Sequence, residues 1–215
     1  FLAMLGHELR NPLAALANAA QLLRLQEHED LSLKQCRGMI ERQIEQLKHL
    51  VDDLLEVSRI TTGNVRLRWE QIVLSDIVAR AVETAQPLIR QHRHRLQVSL
   101  PLEPVHLFAD AARLEQVLIN LLTNAAKYTD ECGDIWLSVE LEKPAEMVEM
   151  AEKEAATAMV VIRVRDTGIG IAPELLLRIF DLFTQADRSL DRSQGGLGIG
   201  LCLVQRLVEL HGGLR

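Results

Sequence analysis

Aromatic side chains make up only 3% of the 215 residues. Sheet proteins draw on aromatic and β-branched residues, so a chain poor in rings and rich in Leu, Ala, Val and Glu is ill suited to an all-β sandwich and favours helices. Cysteine is scarce too: Cys36, Cys132 and Cys202 lie far apart with no paired spacing. That spacing suggests neither a disulfide framework nor a thiolate metal site, and fits a reducing, cytoplasmic compartment. No apolar run approaches the roughly 18 residues of a membrane span, and no signal peptide opens the chain, so no membrane contact is expected within this segment. An excess of basic charge is also missing. The formal net charge is -6, whereas a non-specific nucleic-acid binder needs a basic face to release counterions from phosphates. The short basic run at residues 90–95 reads as a solvated turn.

What is present is apolar material for a core: 48% of the residues are hydrophobic and 25% charged, enough for one large or two small domains. The chain starts on Phe1, already inside a helical pattern, and reads as a piece of a longer protein whose anchor or sensor lies outside it. Leu2, Leu9, Leu16 and Leu23 recur seven apart, with Leu13 and Ala20 between them, which is the three-four spacing of an amphipathic helix. Ile40, Ile44, Leu47, Val51 and Leu54 repeat the pattern after the polar break His28-Glu29-Asp30, predicting a second, antiparallel helix. Periodicity alone also allows a coiled-coil spacer. A lone hairpin with so wide an apolar stripe lacks a partner, and two copies forming a four-helix bundle supply one, so a homodimer is expected.

Thr61-Thr62-Gly63-Asn64 breaks the helical pattern and marks a linker, placing one domain at residues 1–62 and a second at 63–215. Residues 65–73 and 95–100 read as strands, and 75–92 as a helix with Ser75 as N-cap and Asp76 in its first turn. An amphipathic helix follows Asp110 and runs through Ala126; strands are predicted at 134–141 and 159–164. The Glu-, Ala- and Met-rich stretch 142–158 reads as a hairpin extension. This mixed order suggests an α/β sandwich with helices covering one face of a sheet.

Two glycine clusters stand where backbone could approach a ligand closely: Asp166-Thr-Gly168-Ile-Gly170 after an apolar strand, and Gly195-Gly196-Leu-Gly198-Ile-Gly200 opening the last helix. Either alone is consistent with a simple turn, and neither matches the P-loop or dinucleotide fingerprint. Asn120 and Asn124 fall one turn apart on the helix after Asp110, so two amide oxygens can converge on one hard cation, or the pair can be hydrogen-bonded buried amides.

Taken together these segments resemble the sensor histidine kinases. His7-Glu8-Leu9-Arg10-Asn11-Pro12-Leu13 resembles their phosphoacceptor box. Asn120 to Tyr128 resembles the N box, Asp166 to Gly170 the first glycine box, Phe180 and Phe183 the F box, and Gly196 to Gly200 the second glycine box, in the family's order over nearly the whole chain. The run from Phe183 to Gly200 is similar to a nucleotide lid, especially that of hybrid kinases. The resemblance implies a helical hairpin forming a dimeric four-helix bundle, followed by the α/β sandwich of the Bergerat-type ATP-binding fold, with ATP and Mg²⁺ as cofactors. It implies autophosphorylation of His7 and transfer to an aspartate of a response-regulator receiver domain.

Residue roles follow from the resemblance. Asp166, expected as a buried carboxylate, would accept the adenine amino group. Asn124, with Asn120, would ligate Mg²⁺ on the phosphates. Lys127 would pair with phosphate, Tyr128 would line the nucleotide, and Arg192 and Ser193 could reach the γ-phosphate from the lid. Gly168, Gly170, Gly198 and Gly200 would free the backbone around the ligand. Helix geometry adds to this: at 3.6 residues per turn His7 points about 160° from Leu9, away from the apolar stripe. A lone histidine there would ordinarily be a surface residue without a role; the matched box makes it the candidate nucleophile, with Glu8 oriented toward its ring proton. Asn11 lies one turn on, over the same face, and Pro12 removes the amide that would bond the Glu8 carbonyl, so a bend is expected.

The family continues past His211-Gly212-Gly213 into strands that finish the sheet, which here would lie beyond Arg215. Two rival readings are a nucleotide-binding dimerisation scaffold without phosphotransfer, and another ATPase of the same nucleotide fold, such as the chaperone, topoisomerase or mismatch-repair members. Intact His7, Asn124 and Asp166 oppose the first, and the hairpin carrying the His7 box opposes the second.

Overall fold

A computed structural model describes residues 66–142, 159–182, 184 and 198–213, together with helical backbone at Leu16, Gly38, Ile40, Ile44 and Leu47. Those five positions fall in the two stretches predicted helical; the remainder of the expected hairpin, the extension at 143–158 and most of the lid-like run lie outside the described residues. The chain divides into two compact units, one of which comprises residues 66–178 and 203–215.

That unit begins with strand β1 (Glu70–Val73), helix α1 (Leu74–Gln91), strand β2 (Arg95–Ser99) and strand β3 (His106–Ala109). Helix α2 (Ala111–Tyr128), strands β4 (Asp134–Glu142) and β5 (Met159–Asp166), and a single turn, α3 (Pro173–Leu176), follow. Helix α4 (Gly200–Leu210) contributes its residues from Leu203 onward. β1 and β3 form an antiparallel pair with Ile72 opposite Leu107. The other sheet has the order β2-β4-β5, with β2 parallel and β5 antiparallel to β4.

β4 alternates as a half-buried strand must: Ile135, Leu137 and Val139 are buried, and Trp136, Ser138 and Glu140 take the other face. The buried row meets the stripes of α1 (Leu74, Ile77, Val78, Ala81, Ala85, Ile89) and α2 (Leu118, Leu122, Ala125, Ala126) in one core. Each such Leu, Ile or Val side chain contributes about 1.5–3 kcal/mol of burial, and each alanine about a methyl group's share of that. The opposite face is polar and braced by Arg163, which pairs with Glu140 and Glu142, and by Arg165 over the Trp136 ring at 5.3 Å. Helices therefore cover one face of this sheet, as the pattern predicted.

Four details depart from the sequence reading. The first strand starts at Glu70, not residue 65, because its ladder ends at Ala109 and the amide two residues upstream, Arg68 N–H, bonds the Asp110 carboxylate at 2.8 Å instead. Strand β3 itself was unpredicted; only four residues long, it follows the proline-punctuated stretch 101–104. The N-cap of α1 is Val73 rather than Ser75, without a side-chain cap bond. The Leu74 amide is satisfied by Val105 O at 2.9 Å, so the helix can begin earlier than a capping hydroxyl would set. Finally, the basic run at 90–95 is a solvated turn only in part: Arg93 adopts φ 58°, but His94 is buried and bonds Ala126 O through Nε2 at 3.0 Å.

Candidate functional site

α2 positions the amide pair. Asp110 caps it, accepting from Arg113 N at 3.1 Å, and the apolar stripe that seats the helix leaves Asn120 and Asn124 half-buried one turn apart, as predicted. Neither carboxamide has a hydrogen-bond partner among the described residues. Two uncommitted amide oxygens suit a hard cation such as Mg²⁺, which takes oxygen ligands and fills the rest of its shell with water and phosphate oxygens. Lys127 and Tyr128 close the helix, both exposed.

β5 delivers Asp166 to the same end of α2. Ile169 N–H bonds Tyr128 O at 3.1 Å, and Gly168 N–H bonds Asp166 Oδ1 at 2.8 Å. A Cβ at Gly168 would strike Tyr128 O and lie 2.7 Å from Asp166 Oδ1, so only glycine permits this approach. Gly170 has φ 71° with open space around it, a conformation L side chains rarely adopt. The sequence reading expected a buried Asp166. The residue is exposed, because the strand ends there and the chain turns out of the sheet. Its Oδ1 is committed to Gly168, and Oδ2 is open to a ligand donor.

Of the other predicted positions, Phe180, Gly198 and Gly200 are described: Phe180 is half-buried, Gly198 has φ 69°, and Gly200 begins α4. His7, Glu8, Asn11, Phe183, Arg192, Ser193 and Gly196 lie outside the described residues.

The sequence reading missed the knot at the opposite end of α2. Buried Asp110 takes Arg68 N–H on Oδ2 and Arg113 N–H on Oδ1, while its own N–H donates to His211 Nε2 at 3.1 Å. A backbone N–H can only donate, so Nε2 is bare and the proton sits on Nδ1, which donates to Leu207 O at 2.8 Å. Trp69 stacks on Phe108 and meets His211 edge-on, at 5.8 and 5.3 Å between centroids. Gly212 (φ 77°) and Gly213 return N–H groups to Glu209 O and Val208 O, closing α4 in a Schellman motif. A signal was available: Asp before a helical run is an N-cap, and His-Gly-Gly ends the last helix.

Burial pushes the Asp110 carboxyl upward, but the amides of Arg68 and Arg113, with the charge of Arg113, hold it below its ordinary value. A depressed folded-state pKa contributes stability that is present above the unfolded value, about 3.9, and is lost as pH falls through the folded one. Asp110→Ala is therefore expected to lower unfolding free energy by about 2–4 kcal/mol at neutral pH, from the lost cap and the orphaned Arg68 amide. Urea titrations should show that deficit shrinking below about pH 4; a pH-independent deficit would contradict the charge-based account.

Residues 1–63 match the His Kinase A (phospho-acceptor) domain, and residues 109–214 match the histidine kinase-, DNA gyrase B-, and HSP90-like ATPase family. The chain is 36% identical to the circadian input-output histidine kinase CikA of Synechococcus elongatus over 99% of its own length and 27% of that protein's. It is 32% identical to hybrid signal transduction histidine kinase D of Dictyostelium discoideum, over 99% of this chain and 13% of the relative. Among solved structures it resembles full-length ShkA in complex with AMPPNP at 27% identity and a TM-score of 0.65, covering 98% of this chain and 41% of that one. It thus spans about a quarter or less of the two curated relatives.

Proposed function

Since the chain belongs to the sensor histidine kinases, joining a helical phosphoacceptor domain to an α/β ATP-binding domain, we propose that it is the core of an ATP-dependent protein-histidine kinase of two-component signalling. The observation that carries this reading is the hydrogen bond from Ile169 N–H to Tyr128 O, which holds the Asp166 loop on the end of the helix bearing Asn120 and Asn124. An acceptor for adenine and a pair of hard-cation ligands are thereby set on one framework.

In this reading Asp166 Oδ2 accepts from the adenine amino group. Asn124 and Asn120 hold Mg²⁺, which when bound neutralises charge on the phosphates. Lys127 pairs with a phosphate oxygen, Tyr128 lines the nucleotide with Phe180 and Phe183, and Gly168 and Gly170 keep the backbone out of the ligand's way. Arg192 and Ser193 reach the γ-phosphate from the lid, with Gly196, Gly198 and Gly200 freeing the backbone beside it. An imidazole nitrogen of His7 attacks the γ-phosphorus; the bond to the β–γ bridging oxygen breaks, ADP leaves, and Glu8 steadies the proton on the other ring nitrogen. The phosphoryl group then passes to a receiver aspartate, in a separate or fused response regulator.

The domains run from residue 1 to 62 and from 63 to 215, the hairpin pairs with a second copy in a four-helix bundle, and the segment works in the cytoplasm. Among the described residues no helix is long and apolar enough to cross a membrane. The deciding experiment is incubation with γ-labelled ATP and Mg²⁺. Label that is acid-labile and base-stable is the expected result, as a phosphoramidate requires; acid-stable label, or none, would overturn the reading.

The kinase core also reverses its signal. Asn11, one turn from His7 on the same helix face, places an amide where it can hydrogen-bond a water near a docked aspartyl phosphate, without needing the imidazole as nucleophile. Asn11→Ala should slow decay of a phosphorylated cognate receiver in the presence of ADP while leaving autophosphorylation largely intact. Equal decay with wild type and variant would leave Asn11 with only its backbone role before Pro12.

A further inference from the structure

The Asp166 carboxylate is exposed and ends a strand, so something other than burial must fix its direction. Two residues outside the candidate set do this in the structure. Thr167, the next residue, accepts Asp134 N–H on Oγ1 at 3.0 Å and returns its own N–H to Asp134 O at 3.1 Å. This reciprocal pair ties the loop to the first residue of β4. Asp134 is in turn gripped by Arg95 of β2, with Nε on Oδ1 at 2.7 Å and Nη2 on Oδ2 at 2.9 Å.

The second residue is Gly133. A Cβ there would strike Cγ2 of Thr129, lie 2.9 Å from Oγ1 of Thr167 and 3.0 Å from Asp130 O. Thr129 is 4% exposed and cannot step aside into solvent. The missing side chain is thus what lets Thr167 close on the start of β4. With Thr167 fixed at one end and Ile169 fixed on Tyr128 O at the other, the Gly168 amide is held where it locks Asp166 Oδ1 at 2.8 Å. The free oxygen, Oδ2, then has one direction.

We propose that Thr167 and Gly133 are positioning residues for base recognition: they aim the Asp166 carboxylate and so set the preference for a purine carrying a 6-amino group. This rests on the reading of Asp166 as the adenine acceptor. Neither residue touches the nucleotide. Their effect falls on the one interaction that depends on the direction of Oδ2, while contacts to ribose and phosphates remain.

The test uses the whole chain with two probes, ATP and purine riboside 5′-triphosphate, which lacks the 6-amino group. The readout is the ratio of their dissociation constants by titration calorimetry. In wild type the ratio should favour ATP by about tenfold or more, the value of a hydrogen bond to a charged acceptor. Thr167→Val keeps the shape and loses the hydroxyl; it should cut the ratio several-fold while purine riboside triphosphate binds within about twofold of wild type. Thr167→Ser should restore the ratio. Gly133→Ala should cut it likewise, with partial recovery on adding Thr129→Ser, which removes the methyl the alanine would strike. A merely structural role would weaken both probes together, and that outcome overturns the proposal. So does an unchanged ratio in Thr167→Val and Gly133→Ala when Asp166→Asn has lost it. A ratio near one in wild type overturns the Asp166 assignment itself, and the positioning role with it.

Discussion

Replacing His7 with glutamine is expected to abolish incorporation of acid-labile phosphate from γ-labelled ATP, while nucleotide affinity stays within about twofold of wild type. Glutamine keeps a polar side chain of similar reach and is a good helix former, but its amide nitrogen has no free lone pair to attack phosphorus. The chain has seven histidines, and the distinction is concrete for three of them. His94 is buried with Nε2 on Ala126 O, and His211 has both ring nitrogens engaged, with Asp110 N–H and Leu207 O. His92 stacks on His94 at 5.5 Å between centroids, and its Nε2 is buried. Neither His94 nor His211 presents a free nitrogen to solvent, and His92 has one of its two ring nitrogens buried. Phosphate label persisting in His7→Gln at the wild-type rate, and mapping to another histidine, would break the assignment.

The parts of this fold that were legible in the sequence are those where one physical pattern dominates. β4 and α2 bury a regular stripe, at periods of 2 and 3.6, and their predicted and observed bounds differ by one or two residues. β1 was placed less well, and the cap of α1 was assigned to the wrong residue, because these starts are decided by distant partners: Val105 O takes the amide of Leu74, and the Asp110 carboxylate takes that of Arg68. No local propensity encodes an acceptor that lies some 30 to 40 residues away in sequence. The site shows the same division. Asn120, Asn124, Asp166 and the glycines carry motif-grade signals. Thr129, Gly133 and Thr167 do not, since their importance lies in steric exclusion and a backbone pair that exist only once β4 and β5 are side by side.

Asp166→Ala should reduce ATP affinity to the limit of detection by calorimetry, because two effects fall on one residue. The adenine amino group loses its charged acceptor, worth about 1.5–3 kcal/mol, or roughly 10- to 150-fold. Gly168 N–H loses the oxygen it holds at 2.8 Å, and with it the anchor of the loop. Asp166→Asn separates the two. An asparagine has one acceptor oxygen: if that oxygen stays on Gly168 N–H, its NH₂ faces the adenine NH₂, donor against donor; if it turns to the base, Gly168 N–H faces the NH₂ instead. Either way one donor is left unmet, so Asp166→Asn should also lose about tenfold or more in ATP affinity while the fold stays intact. The carboxamide can donate to a purine O6, so the variant's relative affinity for inosine triphosphate should rise. Asn124→Asp gives the contrasting signature, retaining much of the binding but losing transfer, since added charge beside the phosphates disturbs how Mg²⁺ holds them. Unchanged ATP affinity in Asp166→Asn, with no shift toward the 6-oxo nucleotide, would remove Asp166 from base recognition.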